Sequence, residues 1–544
     1  VVAAAGLALV AGCGKSALDV ARDAQASAAI DWQAAAEQAL PSASAPAETP
    51  KPKPAAAAVK APATADPLGR LRRRVARALD VRSGFYMHQG DLLKAATDVR
   101  KGLLLRPHDP ALHLRLGLIY EQAGLFDNAI REYNKALDVR SDYARAYVAR
   151  ARSQRASGAP TEALATLNEA LKRCGRQAPI LLERGLAQEA LNDPAKALAD
   201  FTEAIEFDSS SDEAYLARAR VRIQQGQVRE GIADASRAIQ IDARSPATYV
   251  VRAEGYRKLG DVDRARADYT TALERDPQHA PALLGRGTLE FQVGRLDQAA
   301  ADLRQAAQVP TPSFEAFYQL GQVDLARGDY RAAVDDFTEA LHRDPRSTAA
   351  LHGRALAWIG RDGLTFALDD STTAVRQDPN DARGYAIRAA VYLKTSKYPL
   401  AVADCTQALA RRPDDPVLYN NRGAAYESLG DMDRALADYD QAVRLAPADW
   451  AARNNRAAAL MKKAETLRLC DLREGRAARP AGVQLSFWQQ ALDDLSQAIQ
   501  LRPSDPRAYA SRARAFERLG EPVAALADRT KAGQLQSVTR IPIP

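Results

Sequence analysis

Small residues return along this chain every 34 positions, from Ala76 to the C-terminal region. If each unit is numbered from 1 with Ala76 in first place, position 20 runs Ala95, Ala129, Ala163, Ala197 and on to Ala525. Position 27 runs Ala136, Ala170, Ala204 and on to Ala532, and glycine stands in once in each column, at Gly231 and Gly102. Larger apolar and aromatic side chains fall at positions 4, 11 and 24. The spacing predicts two amphipathic helices per unit, A and B, with a turn between them. Glycine at position 15, as in Gly90 and Gly430, ends helix A with a positive φ. Proline at position 32, as in Pro107, Pro277, Pro345 and Pro447, ends helix B. Small residues at 8, 20 and 27 let two backbones approach, and the aromatics fill the space that is left. One such unit cannot bury its apolar face, so thirteen of them predict a stack with nearest-neighbour contacts.

These columns, together with Gly117, Gly185, Gly287, Gly321 and Gly423 at position 8 and Tyr86, Tyr120, Tyr256, Tyr392 and Tyr426 at position 11, agree in one register. The chain resembles a tetratricopeptide repeat protein from residue 76 to about 539. The resemblance implies an all-α fold, a right-handed superhelical solenoid of about thirteen helix–turn–helix repeats. It implies a non-catalytic protein that binds other proteins.

Two charged columns accompany the period. Position 7 is arginine in eleven units, among them Arg184, Arg218, Arg252 and Arg286. Position 23 is aspartate in eleven, among them Asp200, Asp234, Asp268 and Asp302. A guanidinium fork and a carboxylate make paired hydrogen bonds, so the columns predict a structural Arg–Asp ladder between helices A and B. Which unit pairs with which stays open. Leu116 and Leu320 interrupt the arginines, and Glu132 and Thr166 the aspartates. The other use of such a row, binding an anionic ligand, is outweighed because the acids recur with the arginines.

In tetratricopeptide superhelices helix A lines the concave groove, through positions 2, 5, 6, 9, 12 and 13. Position 5 is apolar from Leu114 and Val148 onward; from the fourth unit it reads Leu182, Leu216, Val250, Leu284 and Tyr318, then turns polar at Asn420 and Asn454. With Asn421 and Asn455 at position 6, these are the candidate partner-binding residues. The apolar stripe suits an amphipathic helix or an extended peptide; ordinary packing against the neighbouring helix is the competing use. The amides resemble two rungs of an asparagine ladder that grips a peptide backbone. The basic carboxylate clamp of chaperone-binding repeats is not reproduced. One unit is longer than the rest, with 22 extra residues at about 463–486 between helices A and B, where Pro480 and Gly482 break the helix. That insertion is either a tolerated surface loop or a specific contact. Residues 540–544 form a tail.

The chain begins with an apolar run, residues 1–13, too short to cross a bilayer as a helix. Val10-Ala11-Gly12-Cys13 resembles a bacterial lipobox, which implies a signal peptide and lipidation at Cys13. Gly14 and Lys15 beside it imply the outer membrane. Residues 14–40 are alanine-rich and fit a short helix, and residues 41–66 are a Pro/Ala/Lys linker ahead of a solenoid spanning 67–539. Gly12-Cys13-Gly14-Lys15-Ser16 imitates the end of a phosphate loop, but the required first glycine falls at Leu9.

The net charge of +7 is uneven: residues 67–109 carry ten basic and four acidic side chains. Arg70, Arg72, Arg73, Arg74, Arg77 and Arg82 either cap the stack or face an anionic surface. No aromatics interleave with them, which argues against nucleic acid. Cys174, Cys405 and Cys470 have no metal or disulfide spacing, and the six histidines form no triad. No cofactor, metal or catalytic residue is expected. The predicted role is a periplasmic, membrane-anchored lipoprotein, a scaffold organising an envelope assembly, secretion or wall-processing complex. The alternatives are a glycan-export subunit contacting polymer, or a cytosolic adaptor if the lipobox is accidental.

Overall fold

The protein is described by a computed structural model over residues 67–473 and 482–538. Among the described residues every regular element is an α-helix, 26 in all, from α1 (Pro67–His88) to α26 (Pro522–Val538). Helices A and B alternate without exception. Two compact units divide between Arg295 and Leu296. The first runs from α1 to the helix Ala280–Gln292, and the second from the helix Leu296–Gln308 to α26.

The hairpin Pro416–Ser428 and Met432–Leu445 shows how a unit is built. Proline opens helix A, where its missing N–H is no loss. Gly430 then turns the chain at φ 84°. The next residue, Asp431, accepts a hydrogen bond from the backbone N–H of Arg434 at 3.2 Å and so caps helix B. Position 15 has a positive φ even where it is not glycine, at Asn192, Asp362 and Ser396. The turn is set by the packing of the two helices, and the residue accepts the strain.

The core between the helices is laid down by position 24. Tyr133, Phe201, Tyr269, Phe337 and Tyr439 are fully buried there. Position 8 must then be small: a Cβ on Gly185 would stand 2.5 Å from the Phe201 ring, and one on Gly321 would stand 2.9 Å from Phe337. Cys405 takes the same slot as a small buried hydrophobe, and burial pushes its thiol up to about 12. Within each compact unit every helix A also touches the next helix A, as Ala144–Ala156 touches Ala178–Ala190.

The 22 extra residues are not a simple loop. Helix A of that unit runs on to Arg473, 24 residues from Trp450, and helix B starts at Gly482 and is 20 residues long. Most of the insertion thus lengthens the hairpin, and Pro480 lies among 474–481, outside the described residues. Residues 463–473 hold no Gly or Pro and are rich in strong helix formers, so propagation is favourable. Gly482 opens the second helix instead of breaking the first. Residues 1–66 and 539–544, with Cys13, the 14–40 segment, the linker and the tail, lie outside the described residues, as do 474–481. No helix among the described residues is long and apolar enough to cross a membrane.

Candidate functional site: the helix A face and the ladder beneath it

The predicted groove columns lie on one face of the A helices, at different depths. Leu182 is buried, whereas Leu216, Val250, Leu284, Tyr318, Asn420, Asn421, Asn454 and Asn455 are half-buried. Much of the position 5 stripe is thus spent on packing between consecutive helices. Asn455 Nδ2 donates to Asn420 Oδ1 at 2.9 Å, so these two amides satisfy each other in part. Asn454 Oδ1 is buried without a hydrogen-bond partner. So are both ring nitrogens of His352, at position 5 of its own unit, although Asp381 lies 3.8 Å away. Burial holds that imidazole below its ordinary pKa, and Asp381 pulls weakly the other way.

Two depressions open on this face, one in each compact unit. The first, about 300 Å³, is lined by Leu114, Leu118, Arg145, Val148, Arg152 and Pro179, which occupy positions 2, 5 and 9. Its floor is apolar, and Arg152 at its edge is held by Glu121 at 2.5 Å. The second, about 530 Å³, has Met461, Lys462, Glu465, Arg514 and Arg518 on consecutive A helices. Trp488, from the lengthened hairpin, completes its wall. Glu465 receives Arg468 at 2.7 Å and Arg518 at 3.2 Å, and these contacts hold its carboxyl low. Sequence reasoning placed its partner residues between 182 and 318 and around 420–455. The first recess takes in Leu114 and Val148 of the position 5 stripe, ahead of Leu182, and the second lies just beyond Asn455.

Beneath the face run the arginines. Arg184 Nη2 meets Asp200 at 2.6 Å, Arg218 meets Asp234 at 2.8 Å, and Arg252 meets Asp268 at 2.7 Å. The pairing is within a unit, sixteen residues apart, and usually bidentate. The same pairs join Arg354 to Asp370, Arg388 to Asp404, Arg422 to Asp438 and Arg512 to Asp528. Arg456 reaches Asp494 at 2.6 Å across the enlarged unit. The third nitrogen has a further partner that the sequence reading missed. Arg218 Nη1 donates to Thr202, Arg252 Nη1 to Ser236 and Arg286 Nη1 to Thr270, in the helix B before. Arg218 and Arg252 therefore each staple their own hairpin to the preceding one. Asp302 is buried. The missed column is position 25, and its signal was legible: a short polar side chain in almost every unit.

Family models described as "Tetratricopeptide repeat" match residues 86–138, 122–179, 182–246, 250–313, 318–364 and 481–531, more than half of the chain, and a second such model matches 416–449. The chain belongs to the tetratricopeptide repeat family. Helical hairpins continue through 365–415, between the matched segments. Among solved structures it is similar to the APC/C hetero-tetramer Cut9-Hcn1, at 16% identity and TM-score 0.42 over 85% of this chain and 93% of that one. Yeast Tom70 is similar at 17% identity and TM-score 0.36, over 85% and 92%. A thermophilic tetratricopeptide protein of Thermus thermophilus, TTC0263, is similar at 24% identity and TM-score 0.30, over 34% and 99%. No curated protein matches the chain.

Within the tetratricopeptide pattern the two leucine interruptions behave alike. Leu116 and Leu320 replace the arginine, and in both cases position 25 of the helix before is itself arginine, Arg100 and Arg304. Arg100 reaches Tyr120 Oη at 2.6 Å, and Arg304 reaches Asp324 at 3.2 Å, both at position 11. The positive charge has moved across the interface. In the Leu116 unit the acid at position 23, Glu132, meets His113 at 2.7 Å and Lys135 at 2.7 Å. Burial works against the Glu132 charge, but those two hydrogen bonds outweigh it and hold the carboxyl low; the His113 imidazole is raised in turn, chiefly by Glu132. In the Leu320 unit Arg304 favours the Asp336 charge too weakly to make up for the lost arginine. Burial, and then the neighbouring Asp324, pushes Asp336 up to about 7. In the unit with Thr166, the hydroxyl donates to Gln154 Oε1 at 2.7 Å instead.

Proposed function

We propose that the chain is a non-catalytic scaffold, tethered to the bacterial envelope at Cys13, that holds a segment of a partner protein on its helix A face. The tetratricopeptide fold is an interaction scaffold, and one observation supports the site: the apolar recess of about 300 Å³ lined by Leu114, Leu118 and Val148. A recess of that size accepts one or two side chains of a helix or extended peptide. The ladder leaves the face free for this work, since its charges are consumed between hairpins. The lipobox resemblance at Val10–Cys13 supports the tether, with periplasmic placement at the outer membrane. There the scaffold organises an assembly, secretion or wall-processing complex.

The test is photo-crosslinking in cells from Arg145 and Ala458 on the helix A face, beside Lys172 on a B helix as control. Discrete adducts from the first two positions alone support the reading. Adducts of equal yield from all three, or from Lys172 alone, sink it. Mass analysis of the N-terminal peptide, wild type against Cys13→Ser, decides the tether separately.

A second reading, a subunit that contacts an exported glycan, has the larger depression in its favour. Trp488 stands there among Lys462, Glu465, Arg514 and Glu517, an aromatic wall with hydrogen-bonding neighbours. Quenching of tryptophan fluorescence by polysaccharide, abolished by Trp488→Ala, would support it; unchanged fluorescence rejects it.

A further inference from the structure

We infer that α1 is a membrane-surface helix: it lies along an anionic bilayer with its outward stripe buried among the lipids. The inference deepens the proposed envelope role but does not require acylation of Cys13. α1 packs on its neighbour through Ala76 and Ser83, which are fully buried. On the opposite face Leu71, Ala78 and Phe85 have no described partner outside their own helix, with Arg74 on one side of them and Arg82, paired to Asp98, on the other. Leu71, Ala78 and Phe85 recur every seven residues, two turns apart, so they form one row. Leu71 is 58% exposed, Phe85 59% and, beside the row, Val81 69%.

Cations border that row. Arg74 lies between the row and Val81, Arg70 and Arg77 lie about a quarter turn round the helix from the row, just beyond Val81, and all three arginines are exposed. The first acid in the helix is Asp80, and it is engaged by Arg115 at 3.0 Å. An exposed apolar row edged by arginines on a helix of 22 residues has the features of an interfacial helix. The apolar row enters the acyl boundary, and the arginine stems extend their heads to the phosphates.

A solvated cap would need no Phe85 or Val81. The linker immediately ahead of it, residues 41–66, offers a single valine and no larger apolar side chain. A second copy would bring like charges together, arginine against arginine. An anionic bilayer answers both the charge and the apolar row.

The experiment uses the full chain carrying Cys13→Ser, so that no acyl group contributes. Vesicles of phosphatidylglycerol and phosphatidylethanolamine, and vesicles of phosphatidylcholine, are sedimented with it. Binding to the anionic vesicles alone is expected. The double change Leu71→Ser/Phe85→Ser should weaken it by more than about tenfold. The triple change Arg70→Gln/Arg74→Gln/Arg77→Gln should do the same, since each basic residue near such a surface contributes roughly a fivefold factor. All five positions are exposed, and circular dichroism checks that the helices remain. Failure of the anionic vesicles to bind, equal binding to phosphatidylcholine, or binding untouched by Leu71→Ser/Phe85→Ser overturns the inference. So does a dimer in light scattering that Phe85→Ser abolishes, which would give the stripe to a second copy. A chain acylated at Cys13 in cells but indifferent to vesicles would leave the tether standing and remove this role of α1.

Discussion

The rung at Arg388 and the rung at Leu320 occupy the same place in two hairpins of one compact unit, and they solve the same problem differently. In the first, Arg388 holds the buried Asp404 by two hydrogen bonds of 2.7 and 2.8 Å. In the second, the arginine is gone, Arg304 approaches from the preceding B helix, and it reaches Asp324. Asp336, the counterpart of Asp404, is left beside a second carboxylate and titrates at about 7. The comparison teaches that the arginine column is a charge-balance device for three helices. Moving the charge by one helix preserves the stack but leaves a proton behind.

The largest effect should come from breaking the regular rung. Arg388→Met strands Asp404, which is 6% exposed, as an unpaired buried charge. Removal of one partner of a buried pair costs about 3–5 kcal/mol. Urea unfolding, with hydrogen exchange to localise the loss, measures it. A loss below about 1 kcal/mol would place the rung with ordinary surface pairs and dissolve the contrast.

Next comes the pH dependence of the broken rung. The folded-state pKa of Asp336 lies above the ordinary 3.8. Between those values the folded state holds a proton that the unfolded state has released. Stability is therefore greatest below about pH 4 and falls as pH rises through about 7. Asp336→Asn keeps the neutral form at every pH. It should raise stability by about 2–4 kcal/mol at pH 8 and leave it unchanged at pH 4. Equal melting shifts at both pH values would refute the raised pKa of Asp336.

The same contrast can be sharpened by restoring the column. Leu320→Arg with Arg304→Thr rebuilds the arrangement seen at Arg354, whose Nη1 donates to Thr338 at 3.2 Å. The pH step should vanish, with a gain at pH 8 of about 1–3 kcal/mol from the charged hydrogen bonds. If the titration of Asp336, followed by NMR, stays near neutral pH, the leucine is not what isolates it. The smallest effect belongs to position 25. Thr202→Val removes the acceptor of one Arg218 hydrogen bond at 3.2 Å and should cost about 0.5–1.5 kcal/mol. A larger loss would mean that the inter-hairpin staple outweighs the rung itself.

The hairpins were readable because their cause is local. Gly430 and Asp431 turn and cap the chain within five residues, and alanine at positions 20 and 27 marks a close approach wherever it stands. The two charged columns were readable for the same reason. Their pairing was not, since a column says nothing of whether an arginine reaches sixteen residues forward in its own unit or into another. The break at Pro480 and Gly482 was readable, and Lys463 to Arg473 had the composition to continue helix A; how the lengthened pair packs on its neighbours was not. The candidate groove was only half legible: Leu182 and Asn420 have the right positions, but Leu182 is buried and Asn420 is partly satisfied by Asn455.

By itself the sequence determined the repeat, the helix pair and the residue types at each column, because nearest-neighbour stacking repeats one set of short-range interactions thirteen times. Only the tertiary structure decided where Arg304 reaches, why Asp336 keeps its proton, how deep the helix A recesses are and which face of α1 stays uncovered. Those depend on distances between helices and on the water they exclude. A few tenths of an ångström and one missing cation change them without altering the period at all.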